Sequence, residues 1–210
     1  IEDGDTVLTH CNSSAALAVL KAAHSSGKRI RVYATETRPK FQGLLSYREL
    51  AENGIPVTLI PDSAVRFVMR EVDKVVVGAD TVTANGAVIN KVGTSLIALA
   101  AHEARVRTFV IATTHKFSTE TVFGELVRLP VVEGTALLPG LERVKGVSAK
   151  CPLFDVTPPR YIDAIVTERG VVAPEAALLL VREVYGWPTA PDAVSCARRL
   201  VEVAERGRSS

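Results

Sequence analysis

The sequence predicts an α/β fold, a doubly wound and mostly parallel Rossmann-like sheet with helices on both faces. Three observations carry that expectation. Short β-branched runs at 6–9, 30–34, 57–60, 74–77, 108–112 and 164–167 alternate with stretches of helical spacing, the rhythm of βαβ units. Runs such as 74–77 (KVVV) are apolar without alternation, as strands buried on both faces are. Polar residues follow directly on several strand ends, where open parallel sheets bind their ligands.

The elements follow in order. Strand 6–9 is led in by Asp3-Gly4-Asp5 and leaves through His10-Cys11-Asn12-Ser13-Ser14 into a helix reaching about Ala23, with Ser13 as its N-cap. Strand 30–34 leads to a long polar loop, 35–43. There Glu36 and Arg38 can pair with each other, whereas the Gln42 amide can both donate to and accept from a sugar hydroxyl. A helix over 46–53 closes at Gly54, with Pro56 beyond. After strand 57–60, Pro61-Asp62-Ser63 caps a helix through Glu71.

The stretch 73–98 concentrates the chemistry. Strand 74–77 is broken by Gly78, and Asp80 follows at its carboxyl end. The chain turns at Asn85-Gly86, returns over 87–89, delivers Asn90 and Lys91, and opens a helix near Gly93-Thr94 that runs to about Ala104. An acid, an amide, an ammonium and a helix N-terminus converge, and the last two suit an anion such as phosphate. Strand 108–112 and the turn 113–117 add Lys116, a second candidate for holding an anion. Residues 125–150 read as an irregular connection with an edge strand, and 154–159 (FDVTPP) as extended chain. Asp155 there is expected to accept from nearby backbone amides. Strand 164–167, a helix over 174–185 with Pro174 at its first position, and an amphipathic helix over 191–205 complete the chain. Two units are expected: a catalytic domain over 1–188, and a C-terminal helix and tail over 189–210.

Composition narrows the function. With 47% hydrophobic and 23% charged residues, the chain has the make-up of a globular domain. A net charge of +2 and the lack of a basic run interleaved with aromatics argue against nucleic acid. Arg198-Arg199 and the arginines over 206–208 read as solvated ends. No apolar run is long enough for a membrane-spanning helix, and no secretory signal opens the chain. Cys11, Cys151 and Cys196 are odd in number and scattered, which suggests reduced thiols and a cytoplasmic location. One glutamine and four asparagines hint at a thermophile. Neither a P-loop nor a Gly-rich dinucleotide fingerprint appears, nor a His/Cys/carboxylate set at ligand spacing, so no cofactor and no metal are expected. Cys11 lies between a strand end and a helix's first turn, where the helix dipole is expected to lower its pKa.

Several of these stretches form one pattern: LTHCNSS at 8–14, TETRPKFQG at 35–43, GADTVTANGAVINKVGT at 78–94, KF at 116–117 and FDVTPPRYIDAIVTERG at 154–170. It resembles the superfamily of sugar-phosphate isomerases and the α, β and δ subunits of translation initiation factor 2B, over nearly the whole chain. The initiation-factor subunits generally lack the Cys and carry Glu at the Asp80 position. The methylthioribose-1-phosphate isomerases continue the first motif as CNTG with a longer insertion. Cys11-Asn12-Ser13-Ser14 and Gly86-Ala87-Val88-Ile89 match the archaeal ribose-1,5-bisphosphate isomerase branch instead.

What the resemblance implies is an aldose–ketose isomerase that makes ribulose 1,5-bisphosphate from ribose 1,5-bisphosphate in nucleoside monophosphate salvage. Cys11 and Asp80 would be the catalytic pair, Asp80 as acid and Cys11 as proton shuttle, with the roles exchangeable. Gln42, Asn90, Lys91 and Lys116 would hold the substrate. The resemblance further implies a homo-oligomer, dimer or hexamer, associated through this domain. The family's N-terminal helical domain has no counterpart here, so the chain is expected to be the C-terminal part of a longer protein. The alternatives are a translation-factor-like subunit that binds a sugar phosphate or nucleotide without turnover, and a methylthioribose-1-phosphate isomerase.

Overall fold

The computed structural model describes residues 1–123, 127, 129–132, 137, 146 and 148–186. The helix expected over 191–205, Cys196, the terminal arginines and the unit 189–210 lie outside the described residues, as does most of 125–150.

In chain order the elements are β1 (Thr6–Thr9), α1 (Ser14–Ser25), β2 (Arg31–Thr35), α2 (Gly43–Glu52), β3 (Val57–Ile60), α3 (Val65–Val68) and β4 (Lys74–Gly78). There follow β5 (Thr81–Val82), β6 (Val88–Lys91), α4 (Thr94–Ala104), β7 (Arg107–Ile111), β8 (Val131–Val132) and β9 (Cys151–Pro152). β10 (Phe154–Thr157), β11 (Ala164–Thr167), β12 (Gly170–Val172) and α5 (Ala177–Tyr185) complete the set. The main sheet has seven strands in the order β12-β11-β7-β4-β1-β2-β3. All its pairings are parallel except β11–β12.

Alternation along the central strands separates two cores, because successive side chains point to opposite faces. Val7 and Val76 pack with Ala16, Leu17 and Leu20 of α1 and Leu50 of α2. Leu8, Val75 and Val77 pack on the other face with Val65, Val68, Ile97, Ala101, Leu180 and Val181 from α3, α4 and α5. Helices therefore cover both faces, as the sequence predicts. From β1 the chain winds outward through β2 and β3, while β4, β7 and β11 build in the opposite direction. The crevice between β1 and β4 is the topological switch point, the place where such sheets bind ligands.

Three expectations need correction. The helix expected to run through Glu71 is one α-turn, α3, between the 3₁₀ turns Asp62–Ala64 and Met69–Glu71. Asp62 does not cap it, because its carboxylate accepts the Thr37 and Arg38 amides at 2.8 and 2.7 Å. The return over 87–89 and the extended FDVT segment both become strands of a sheet that the sequence reading did not anticipate. β6 pairs antiparallel with β5 on one side and β10 on the other, forming a separate three-stranded sheet. β12 adds an antiparallel edge to the main sheet, where the Thr167–Gly170 turn folds the chain back.

Two glycines let elements approach where a side chain would collide. A Cβ on Gly78 would lie 2.3 Å from Ser13 Oγ, so the end of β4 abuts the N-cap of α1. A Cβ on Gly43 would lie 1.7 Å from the Thr35 carbonyl oxygen, which is backbone and cannot swing aside. Gly43→Ala is expected to cost about 3 kcal/mol, the upper range for forced overpacking. Urea unfolding measures it, and a loss under about 0.5 kcal/mol, the range of neutral substitutions, would contradict this packing of α2 on β2.

Candidate active site

Cys11 closes β1 with a left-handed backbone, φ 64°, a conformation that costs energy outside glycine and is held where the surroundings impose it. Its N–H donates to Thr37 Oγ1 at 2.9 Å, and its carbonyl accepts Ser46 Oγ at 2.7 Å. The thiol points toward Gln42 Oε1, 3.8 Å away. Ser13 caps α1 as expected, accepting from the Ala16 amide. Asp80 leaves β4 with its amide on the Ile89 carbonyl and its side chain exposed.

On β6, Asn90 and Lys91 are buried, at 6% and 8% exposure. Asn90 Nδ2 donates to Thr94 Oγ1, which donates to the Lys91 carbonyl. The Lys91 ammonium lies over the Phe154 ring, 4.4 Å from its centroid. Lys116 ends the 3₁₀ turn Thr114–Lys116 after β7. That turn is fastened by the Glu168 carboxylate on the Thr114 amide and by Tyr185, whose hydroxyl donates to the Thr114 carbonyl.

These groups meet in one cavity of about 360 Å³ at the β1–β4 crevice. Cys11, Gln42, Asp80, Asn90, Lys91 and Lys116 all line it, so the structure brings together every site residue named from the sequence. The sequence reading missed other walls: Asn12, the first turn of α1 from Ser13 to Ala15, and Phe154. First-turn amides have no partner within their helix, which makes the α1 terminus, flanked by Lys91 and Lys116, the electropositive side. The Ser13-Ser14 pair after a strand was the available signal for it.

The helix end expected to take an anion is already occupied. The Asp155 carboxylate accepts from the Gly93 amide at 2.7 Å and the Ser95 amide at 3.1 Å, capping α4 across the β6–β10 pairing. The structural role expected for Asp155 holds, and it removes the α4 terminus from the ligand's side. Burial pushes the Asp155 carboxyl up to about 6, against the Ser95 and Gly93 amides, which pull it down. A carboxyl raised on folding holds its proton more tightly in the folded chain. Its contribution to stability therefore falls as pH rises from about 4 to about 6 and is level above that. The lowered carboxyl of Asp5 works in the opposite direction, so the comparison must be with Asp155→Asn. Urea unfolding between pH 4 and 7 should show the fall in the parent and its loss in the variant. Parallel profiles would return Asp155 to the ordinary range.

Cys11 also departs from expectation. Burial pushes its thiol up; the Asn12 amide and Lys91 pull it down, and Asp80 and Asp62 push it further up. At 9% exposure, desolvation of a thiolate outweighs the helix end beside it. The resting group is a thiol, not the thiolate that the sequence position suggests.

Among the described residues, no helix is long and apolar enough to cross a membrane. Comparison with known proteins then bears on what the cavity does. Residues 1–174 match the initiation factor 2 subunit family. The ribose 1,5-bisphosphate isomerase of Archaeoglobus fulgidus is 57% identical over 187 residues, covering 89% of this chain and 60% of that protein. A methylthioribose-1-phosphate isomerase of Geotalea uraniireducens is 44% identical over 188 residues, covering 82% of this chain and 54% of its own. The crystal structure of subunit delta of translation initiation factor eIF-2B from A. fulgidus superposes with a TM-score of 0.78 at 38% identity, over 87% of this chain and 57% of that one. The chain thus spans little more than half the length of each.

Proposed function

Because the chain belongs to the initiation factor 2 subunit family, we propose that it is the catalytic domain of a ribose 1,5-bisphosphate isomerase. The supporting observation is the meeting of a thiol, Cys11, and a carboxyl, Asp80, with two ammonium groups, Lys91 and Lys116, in one cavity. The identity to isomerases acting on a phosphorylated ribose points the same way.

The reaction moves hydrogens without net gain or loss. As the bond from C1 to the ring oxygen breaks, that oxygen takes a proton. C2 loses its hydrogen, C1 gains one, and the C2 hydroxyl gives up its proton as the ketone forms. One group must give a proton and another must take one. An acid role for Asp80 would require an apolar enclosure, and its carboxyl is exposed. Cys11 rests protonated. We assign the roles in the exchanged order: Cys11 gives its proton to the ring oxygen and regains one from the C2 hydroxyl, while Asp80 takes the proton from C2 and returns it to C1. Gln42 orients the thiol, Asn90 meets a sugar hydroxyl, and Lys91, Lys116 and the first-turn amides of α1 take the phosphates. No cofactor is called for. The working form is a cytoplasmic homo-oligomer joined through this domain, and light scattering showing a monomer would reject that part.

The test is conversion of ribose 1,5-bisphosphate to ribulose 1,5-bisphosphate by the full-length protein. Binding without conversion would instead support the rival reading, a regulatory subunit like the eIF-2B delta relative. Conversion of methylthioribose 1-phosphate with equal efficiency would move the chain to the other isomerase branch.

A further inference from the structure

His10 has no place in that chemistry, yet it is 1% exposed and stands next to Cys11. Its Nε2 lies 2.9 Å from the Val92 carbonyl, and its Nδ1 lies 2.6 Å from Thr35 Oγ1. The ring also lies against Gly93, whose hypothetical Cβ would be 3.1 Å from Cε1. It thus spans the ends of β1 and β2 and the turn from β6 into α4.

The direction of these bonds is forced from both ends. A carbonyl only accepts, so Nε2 carries the hydrogen and donates to Val92. Nδ1 is then an acceptor and takes the Thr35 hydroxyl hydrogen. Thr35 Oγ1 is 3.3 Å from Thr37 Oγ1 and can only accept there; the Thr35 carbonyl, also at 3.3 Å, and His10 Nδ1, at 3.5 Å, are the other acceptors within reach of the Thr37 hydroxyl. At the far end, the Cys11 amide only donates, and it donates to Thr37 Oγ1 at 2.9 Å. The result is a polar series from the Cys11 amide through Thr37, Thr35 and His10 to the carbonyl of Val92, the residue after Lys91, with Thr37 in contact with both Thr35 and His10. Burial holds the His10 pKa down, against the Asp62 carboxylate 4.0 Å away, and Lys91 lowers it too, so the neutral ring that the series requires is the resting one.

We infer that neutral His10 is a positioning residue: through this one-way series of hydrogen bonds it fixes Cys11 in its left-handed conformation and ties it to the strand that presents Lys91. Val92 precedes the N-cap of α4, so its carbonyl needs a donor from outside the helix, and His10 provides it. Because the links act in series, breaking any one releases Cys11, and breaking a second adds little.

The experiment uses the full-length protein with His10→Gln, Thr37→Val, both together, and Thr37→Ser. His10→Gln can keep the donor to Val92 through its Nε2 but places carbon where Nδ1 stood, so Thr35 loses its acceptor at that position, and Thr37→Val removes the hydroxyl that Cys11 needs. Cys11 alkylation by iodoacetamide at pH 8 is followed on its own peptide by mass spectrometry. Release should expose a thiol now held back by burial. Each single variant should therefore react about fivefold faster, the double no faster than the faster single, and Thr37→Ser like the parent. With ribose 1,5-bisphosphate, kcat should fall about tenfold in each single variant and no further in the double, at nearly unchanged KM. Unchanged alkylation in Thr37→Val, or a double variant equal to the product of the singles, would overturn the inference. Should His10→Gln fail to fold, the Thr37→Val and Thr37→Ser pair still decides. Only the choice of sugar rests on the proposed function. A parent that does not isomerise it would reject that function, while the labelling would still decide the role of His10.

Discussion

Cys11→Ser and Asp80→Asn are each expected to lower turnover of ribose 1,5-bisphosphate by about a hundredfold or more in the full-length protein, the usual scale for a lost proton donor or acceptor. Neither should unfold it. Asp80 is exposed at the end of β4, and its side chain is not part of the sheet's hydrogen bonding. At Cys11 the fold depends on the backbone, through Thr37 and Ser46, and serine keeps both bonds. A serine hydroxyl replaces the sulfur at nearly the same size but is a far weaker acid than a thiol. The two variants should also differ in kind. With Cys11 as donor, its activity should decline at high pH as the thiol ionises, and because burial pushes the thiol up, that decline should lie above the ordinary cysteine range. Steady-state kinetics across pH with both variants measures this. Turnover within a few-fold of the parent would remove that residue from the chemistry, and a decline at or below the ordinary range would return Cys11 to the thiolate role.

Lys91→Met should have effects of opposite sign on activity and on stability. The Lys91 ammonium is 8% exposed and faces the Phe154 ring, with no carboxylate within salt-bridge distance among the described residues. A desolvated cation without a counter-ion is costly, and replacing it by an apolar chain of similar volume is often neutral or stabilising. In the proposed site that same ammonium would take a phosphate. Its loss should reduce kcat/KM for the bisphosphate by about 2–3 kcal/mol, the scale of a hydrogen bond to a charged group. Urea unfolding should show stability unchanged or higher. Lys116→Met makes the comparison informative, because Lys116 is exposed on its turn and should lose less. A Lys91→Met protein with parent kcat/KM would take the phosphate away from Lys91. A large fall in stability would mean that the ammonium holds the fold rather than waits for a ligand.

Much of the cavity was legible in the sequence because its residues sit just beyond strands that the sequence marks clearly. Cys11 follows TVLT, Asp80 follows KVVVG, and Lys116 lies in the turn after the 108–112 run, so a parallel sheet carries them to one edge. Gln42 was named from a loop and is the N-cap residue of α2, close enough for the Cys11 thiol to reach it. Phe154 and His10 were not named as site residues. An aromatic in an extended segment and a histidine at a strand end look the same in sequence whether they fill a core or shape a site.

The sequence by itself determined the local matters: which runs become the six parallel strands of the main sheet, where α1 is capped, and which polar residues stand at strand ends. These depend on neighbours a few positions away, through side-chain alternation and capping geometry. The tertiary structure decided which partner each group meets. Asp155 reaches the α4 terminus from 62 residues beyond Gly93 and takes the anion's place there. The pairing of β6 with β10 sets Phe154 against Lys91, an ammonium with no carboxylate within salt-bridge distance among the described residues. The packing around Cys11 turns an expected thiolate into a resting thiol, because desolvation depends on everything that excludes water from the sulfur, and that is fixed only when β1, β2, β4 and β6 have closed around it.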